Sequence, residues 1–333
     1  MNAAAPLAQP VRYVDALRLA LEEALARDPR VFLYGQDIAA PFGGAFKVTK
    51  GLGERWPERV INAPISEDAI TGVAIGAAID GARPVIEFQF GDFASIGFNQ
   101  LVNHAATTFW RTGRSCPLVA RLPVGGTPGA GPFHCQMAEG WLAHHPGLIM
   151  VCPATVADAY HMLLDAIACD DPVVFCEHKN LYNHLKDETD PRTTARLPMG
   201  AAAVRRAGVD CTLVSYSAML HECLAAAHQL EREHGIEVEV LDLRCVRPLD
   251  EEAILASVGR TGRLVVATED WPFGSVAAEV IALVTSRAFH ALDAPPLRLA
   301  ALDVPIPSHP DLFAAQRPNA ARIVEAVLET VAH

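Results

Sequence analysis

The sequence lacks the features of membrane, secreted and disulfide-linked proteins. It has no apolar run near the roughly 20 residues that span a bilayer. Its first ten residues contain no charged segment followed by an apolar core, so neither a membrane helix nor a secretory signal is expected. The eight cysteines include no CxxC pair, which favours reduced thiols over a disulfide framework or a zinc site. These absences predict a cytoplasmic protein with no metal site and no membrane association.

Positive charge is also scarce. The 27 lysines and arginines are outnumbered by 39 acidic residues, which leaves a formal net charge of -12. Because nucleic-acid binding needs a basic face, nucleic acid is not an expected partner. Hydrophobic residues make up 51% of the 333 residues, enough for the buried cores of about two domains.

Several common enzyme motifs are missing. No GxGxxG motif follows a strand, and the glycine-rich stretch at 125–131 lacks the Lys-Ser/Thr pair of a P-loop. HExxH, EF-hand and GxSxG motifs do not occur either. The sequence therefore does not support dinucleotide binding, P-loop phosphate binding, zinc proteolysis or serine hydrolase chemistry.

Apolar strands alternate with amphipathic helices along the first half of the chain. The first helix begins near residue 11 and ends at Asp28-Pro29. Strands are predicted at 31–34, 84–88, 117–121, 148–151 and 173–177, and helices at 68–80, 94–108 and 156–168. Strands of this kind, apolar throughout and separated by helices, predict a parallel sheet with helices on both faces.

A second α/β unit follows a charged, proline-containing break. Its strands are predicted at 212–216, 238–241 and 264–267, and its helices at 218–233, 251–258, 276–289 and 320–331. The fold class is thus α/β with two domains, each a mostly parallel sheet flanked by helices. The predicted boundaries are 8–186 for the first domain, 187–200 for the linker and 201–331 for the second domain.

A pair of carboxylates precedes the helix predicted at 68–80. Acids at a helix N-terminus are stabilised by free N–H groups and by the helix dipole, and composition alone favours this capping role. Capping explains Asp68 better than Glu67, which lies before the predicted helix.

Two other polar segments lie where ligands bind in α/β proteins. Gln89 and Phe93 follow the strand at 84–88, and ligands of open α/β sheets bind beyond strand C-termini. Phe93 is a candidate stacking platform for a flat ring. His134 closes the glycine-rich loop and can exchange protons near neutral pH. Its neighbour Cys135 has no evident base to activate it, so we interpret it as a spectator.

Taken in order, these segments resemble the β subunit of the decarboxylating component of 2-oxoacid dehydrogenases. That family includes the pyruvate, branched-chain and acetoin enzymes and belongs to the transketolase-like group. The resemblance extends from about residue 11 to 331. Further matching segments are Gly-Gln-Asp-Ile at 35–38, Phe-Gly-Gly-Ala-Phe at 42–46, Phe-Asn-Gln-Leu-Val-Asn at 98–103, Ala-His-His-Pro-Gly at 143–147, Asp-Asp-Pro-Val-Val-Phe at 170–175, Asp-Leu-Arg-Cys-Val-Arg-Pro-Leu-Asp at 242–250 and Thr-Gly-Arg-Leu-Val-Val at 261–266.

The resemblance implies a role for each candidate residue and reverses the interpretation of Glu67. The matching glutamate in the family shares a proton with N1′ of the aminopyrimidine of thiamine diphosphate. Phe93 matches the aromatic residue that packs on this ring, and His134 matches a histidine that handles protons near the substrate and the lipoyl group. Gln89 lies in the same cofactor-binding segment. Since the family's Gly-Asp-Gly motif is absent here, the diphosphate and its magnesium ion are expected on an α subunit.

The resemblance also implies partners and an activity. The expected assembly is an α2β2 heterotetramer that docks on a lipoyl-bearing dihydrolipoyl acyltransferase core. The expected reaction is oxidative decarboxylation of a small 2-oxoacid, pyruvate or a branched-chain acid, with acyl transfer to the lipoyl group. The alternatives are a split transketolase-type ketol transferase subunit and a non-catalytic docking paralogue.

This chain departs from the family pattern at several positions. Gln36 replaces an acid, Cys135 replaces the serine of His-Ser-Gln, and His178 replaces the proline of Glu-Pro-Lys. The later Gly-Gly-Phe-Gly loop reads Gly-Ser-Val-Ala at 274–277. The positions that hold a potassium ion in some relatives are altered around 169–171, so a potassium site is not expected.

Overall fold

Two α/β units follow each other in the computed structural model, which describes residues 9–333. The elements of the first unit are β1 (Val11–Arg12), α1 (Tyr13–Arg27), β2 (Val31–Gly35), α2 (Leu52–Arg55), β3 (Val60–Asn62), α3 (Glu67–Ile79), β4 (Arg83–Glu87), α4 (Thr108–Thr112), β5 (Val119–Val124), α5 (Glu139–Leu142), β6 (Ile149–Val151), α6 (Val156–Ala168), β7 (Val173–His178), α7 (Lys179–His184) and β8 (Lys186–Asp187).

The second unit repeats the alternation of strands and helices. Its elements are β9 (Ala203–Arg206), β10 (Cys211–Ser215), α8 (Met219–His234), β11 (Val238–Asp242), β12 (Cys245–Arg247), α9 (Glu251–Thr261), β13 (Leu264–Ala267), α10 (Val276–Arg287), β14 (Leu297–Leu299), α11 (Pro310–Gln316) and α12 (Ala320–Val331).

Each unit contains one mostly parallel sheet, as the sequence predicts. The first sheet has the order β12-β6-β7-β5-β4-β2-β3, and the second has the order β14-β13-β10-β11-β9. Within residues 9–333, β12 and β9 are the strands of these two sheets that run antiparallel to their neighbours, and β1 and β8 form a separate antiparallel pair. Every residue of β5, β7, β10 and β11 is buried, which agrees with the mostly apolar sequences of these strands.

The two units are joined by shared structure. The edge strand β12 belongs to the second unit in sequence but pairs with β6, with Cys245 opposite Val151. One apolar core also runs across the junction and includes Ile86 and Leu122 from the first sheet together with Val258 and Val280 from the second unit. The boundaries 8–186, 187–200 and 201–331 stay a prediction.

Besides short elements that the sequence did not predict, the structure differs from two predicted elements of the first unit in a way that changes the chain path. The first helix begins at Tyr13, because Val11 and Arg12 form β1 and pair with β8 at the start of the predicted linker. The single helix predicted at 94–108 is instead a 3-10 turn, a π-helical segment at Gln100–Ala105 and α4.

Tertiary packing explains the interrupted helix. Gly97 lies so close to α3 that a Cβ there would be 3.0 Å from Thr71 Oγ1 and 3.2 Å from Phe88 Cζ. This close approach bends the chain over α3 in a way that local helix propensity does not predict. Within residues 9–333, no helix is long and apolar enough to cross a membrane.

Candidate active site

The predicted site residues meet at one edge of the first sheet. In the parallel strands, Gly35 at the end of β2 lies opposite Asn62 of β3 and Glu87 of β4, so these three strands end together. The four segments that leave this edge and that of β5 carry Gln36, Glu67, the pair Gln89 and Phe93, and the loop with His134. This is the edge at which open α/β sheets bind ligands.

Glu67 is the first residue of α3 and is only 4% exposed. Its Oε1 accepts a hydrogen bond of 3.0 Å from Gln36 Nε2. Neither carboxylate oxygen accepts a bond from a helix N–H group, and Oε2 has no hydrogen-bond partner among residues 9–333. Glu67 is thus held from one side by Gln36 and does not cap its helix, whereas Asp68 is exposed at the surface.

An aromatic cluster lies on the segments that leave the same edge of the sheet. The His134 ring stands edge-on to Phe90 at 4.5 Å and to Phe93 at 5.9 Å between ring centres, and Phe90 and Phe93 are 5.7 Å apart. Phe93 and His134 are both half-buried. Gln89 is half-buried as well, and its side chain makes no hydrogen bond with any other residue in 9–333. The cluster therefore presents an aromatic wall and an imidazole.

The loop that carries His134 is held in a fixed shape. Gln136 Nε2 donates a 2.8 Å hydrogen bond to the carbonyl of Pro132, and Gln136 N donates to Asp92 Oδ1 at 3.2 Å. Lys179 Nζ donates to the carbonyl of His134 and lies 5.4 Å from the centre of the Phe90 ring. Burial lowers the pKa of Lys179. His134 is therefore positioned by its own backbone as well as by its ring contacts.

The second unit anchors the other end of the same loop, a contact that the sequence did not predict. Glu269, which follows β13, accepts hydrogen bonds from Gly126 N at 2.8 Å and from His178 Nε2 at 3.1 Å, and it pairs with Arg317 at 3.3 Å. Burial alone raises the pKa of Glu269, but the His178 and Arg317 charges and the hydrogen bonds outweigh it and lower the pKa to about 2. Gly125, at φ 80°, lies against the His178 ring, where a Cβ would collide.

A buried ion-pair network links three neighbouring strands of the first sheet, β4, β5 and β7. Arg121 on β5 pairs with Glu87 of β4 at 2.5 Å and with Glu177 of β7 at 2.6 Å, and Tyr182 Oη donates to Glu177 at 2.7 Å. Burial raises the pKa of Glu87, and Arg121 opposes that effect. Gly44 closes over this network at φ 79°, where a Cβ would be 2.5 Å from Glu87 Oε1. The only sequence signal for the network is an arginine inside an apolar strand.

Cys135 is buried within the loop. Its Sγ is 3.5 Å from both the N and the O of Thr127, so the thiol helps to close the loop. Its interpretation as a spectator stays a prediction.

Family comparisons cover both units of the chain. Residues 9–184 match the transketolase pyrimidine binding domain, and residues 200–323 match the transketolase C-terminal domain. The 2-oxoisovalerate dehydrogenase subunit beta of Bacillus subtilis is 43% identical over 296 residues, which cover 88% of this chain and 90% of that protein. The pyruvate dehydrogenase E1 component subunit beta of Leifsonia xyli is 41% identical over 98% of this chain and 97% of that protein. The chain belongs to the family of 2-oxoacid dehydrogenase β subunits.

Two further similarities outline the breadth of this β-subunit family and its fold. The acetoin:2,6-dichlorophenolindophenol oxidoreductase subunit beta of Cupriavidus necator is 39% identical over 95% of this chain and 96% of its own length. A solved structure titled as a split gene transketolase, inactive beta4 tetramer, has a TM-score of 0.80 and covers 97% of this chain and 99% of its own. At 22% identity it is similar in fold alone. The predicted family and the predicted two-unit α/β fold are confirmed.

Proposed function

We propose that this β-subunit family member supplies the aminopyrimidine half of a thiamine-diphosphate site in a 2-oxoacid dehydrogenase. The observation that carries the proposal is the buried Glu67 carboxylate, which Gln36 holds by one oxygen while the other oxygen stays without a partner in residues 9–333. A carboxylate that is enclosed and half-satisfied suits a group that must share a proton with a ligand nitrogen.

The residues at this edge fit an aminopyrimidine ring. Such a ring offers a nitrogen for Glu67 Oε2 and a flat face for an aromatic side chain, and Phe93 is half-buried on the same sheet edge. Gln89, beside Phe93, has an amide that makes no hydrogen bond with residues 9–333 and can donate to the same ligand. The diphosphate and magnesium are assigned to an α subunit, because the chain has no Gly-Asp-Gly motif.

The side chains of this chain perform the binding and proton-holding steps. When bound, thiamine diphosphate supplies the electron sink for the carbon that loses carbon dioxide. Gln36 fixes the direction of the Glu67 carboxylate, so Oε2 is the atom at which a proton is held or released. His134 supplies an imidazole that can hold or release protons near the substrate, and the Phe90 ring keeps water from one side of it.

The proposed reaction is oxidative decarboxylation of pyruvate or a branched-chain 2-oxoacid, followed by acyl transfer to a lipoyl group. The aromatic surroundings of His134 favour a short apolar acyl chain. The proposed partners are an α subunit, in an α2β2 assembly, and a lipoyl-bearing acyltransferase core. Exposed apolar side chains such as Trp110, which is 89% exposed, and Ile65, which is 83% exposed, are suited to burial against a partner.

The test is 2-oxoacid-dependent dye reduction by this chain co-expressed with an α-type subunit. We expect activity with pyruvate or a branched-chain 2-oxoacid, and a loss of about 10²- to 10⁴-fold in Glu67→Gln, since general acid–base groups contribute that much. Asp68→Asn, a change at the exposed neighbouring acid, is the matched control and should retain activity.

Two outcomes would replace the proposal. Ketol transfer between sugars without 2-oxoacid oxidation would favour the alternative function, a subunit of a split transketolase-type ketol transferase. A stable heterotetramer that binds thiamine diphosphate but oxidises no 2-oxoacid would favour a docking subunit.

A further inference from the structure

A group of ligating side chains lies between the two units, apart from the candidate active site. Glu139 begins α5, Cys152 follows β6 and Cys176 lies within β7, and one ligand atom from each lies within 4.8 Å of the other two. All three side chains are 0% exposed. Because successive strand residues point to opposite faces, Cys176 lies on the sheet face opposite Glu177 and outside the Arg121 network.

One buried carboxylate oxygen of this cluster, Oε2 of Glu139, has no hydrogen-bond partner among residues 9–333. Unpaired buried polar atoms are costly and are rare in native proteins, so this oxygen is available to a ligand held by the cluster.

We propose that Glu139, Cys152 and Cys176 bind one Zn²⁺ ion. Two sulfur donors and one carboxylate suit zinc, which accepts thiolate and carboxylate ligands, whereas Ca²⁺ and Mg²⁺ require oxygen ligands. Because all three donors are fully buried, the site is closed to substrate and its role is structural.

A sulfur donor and an oxygen donor of the cluster already lie close together. Cys152 Sγ is 3.7 Å from Glu139 Oε1, which is compatible with two donors on one ion.

The proposed ion would lie next to the junction of the two units. Its three ligands come from the first unit, and Cys152 N donates a 2.7 Å hydrogen bond to the carbonyl of Arg244, next to β12 of the second unit. Metal binding should therefore stabilise this part of the junction. No CxxC spacing in the sequence indicates the site, because its ligands come from three separate segments of the chain.

The first experiment measures metal in the full-length wild-type chain, expressed in zinc- or cobalt-supplemented medium and purified without chelator. We expect about one Zn²⁺ per chain. The cobalt form should show a thiolate-to-Co²⁺ charge-transfer band in the near ultraviolet and intense visible bands of tetrahedral Co²⁺. A metal-free chain, or cobalt bound without a thiolate band, would overturn the proposal.

Variants then assign the ligands. Cys176→Ala and Glu139→Gln should lose most of the bound zinc, and a strong chelator should lower the Tm of the wild type but not of Cys176→Ala. Cys223→Ala is the matched control, because Cys223 is an equally buried thiol in a different core cluster and should leave the metal content unchanged. Full zinc content in Cys176→Ala would contradict the assignment. If a variant does not fold, the spectrum of the cobalt-substituted wild type still tests whether thiolates bind the metal.

Discussion

Glu67 and Glu139 occupy the same position in their helices but have different surroundings. Each is the first residue of a helix, each is buried, and each has one carboxylate oxygen without a hydrogen bond within residues 9–333. Glu67 lies beside Gln36 at the edge where strands β2, β3 and β4 end. Glu139 is enclosed by thiols at the junction, where burial, followed by the charge of Asp270, raises its pKa to about 8. The comparison teaches that the neighbours of a buried acid, and not its place in a helix, determine what it binds.

The largest expected effect separates these two glutamates directly. In the heterotetramer, Glu67→Gln should lower 2-oxoacid oxidation by about 10²- to 10⁴-fold with little change in Tm, because only a proton-sharing group is lost. Glu139→Gln should instead lower the zinc content and Tm while turnover in the folded fraction stays within a few-fold. Steady-state kinetics, metal analysis and thermal unfolding of both variants test this. An equal loss of turnover in the two variants would contradict the different roles proposed for Glu67 and Glu139.

A third environment for buried acids is the Arg121 network, where a cation pairs two carboxylates. Arg121→Met should destabilise the fold by about 3–5 kcal/mol, because Glu87 and Glu177 are left buried without their partner. The exposed pair of Arg55 with Glu22 is the control, and Arg55→Met should cost about 0–1 kcal/mol. Urea unfolding measures both. A loss of only about 1 kcal/mol in the unfolding free energy of Arg121→Met would mean that the network contributes little to stability.

Glu269 provides a smaller, pH-dependent contrast with Glu139, since its pKa is shifted in the opposite direction. Its folded-state pKa of about 2 lies below the unfolded value near 4.5, so its contribution is complete above about pH 4.5 and is lost as the pH falls towards 2. Glu269→Gln should be destabilised by about 1–3 kcal/mol at pH 7, and this gap should shrink below pH 4.5. Unfolding free energies of the wild type and of Glu269→Gln, measured at pH 7 and at pH 3.5, test this prediction. A gap independent of pH would contradict the ion pairing of Glu269.

The smallest expected effect concerns the departure at Gln36. Gln36→Glu restores the acid that family members carry and places a second carboxylate beside Glu67, so one of the two acids should retain its proton to higher pH. We expect a change of a few-fold in kcat and an upward shift of the acidic limb of its pH profile. Gln36→Ala removes the hydrogen bond without adding charge and should lower kcat without that shift. Identical pH profiles for wild type and Gln36→Glu would show that residue 36 does not influence Glu67.

The sequence by itself determined the alternation of elements, because apolar periodicity is a local property. Helices α6 and α12 and strand β13 lie where the sequence predicted them, and the short strands β3, β9 and β14 were missed because they lie at or near sheet edges and carry little apolar pattern. Ordered motifs also predicted the family, and Gln89, Phe93 and His134 follow strands that the sequence predicted, whereas the strand before Glu67 was among those missed.

Only the tertiary structure decided which distant residues meet. It joined β12 of the second unit to the first sheet, brought Gln36 against Glu67, and placed Glu269 under the loop that carries His134. It also gathered Glu139, Cys152 and Cys176 within 4.8 Å of one another. These contacts depend on packing between segments that are distant along the chain, within the first unit or across the junction of the two units, and that packing leaves no spacing signal in the sequence.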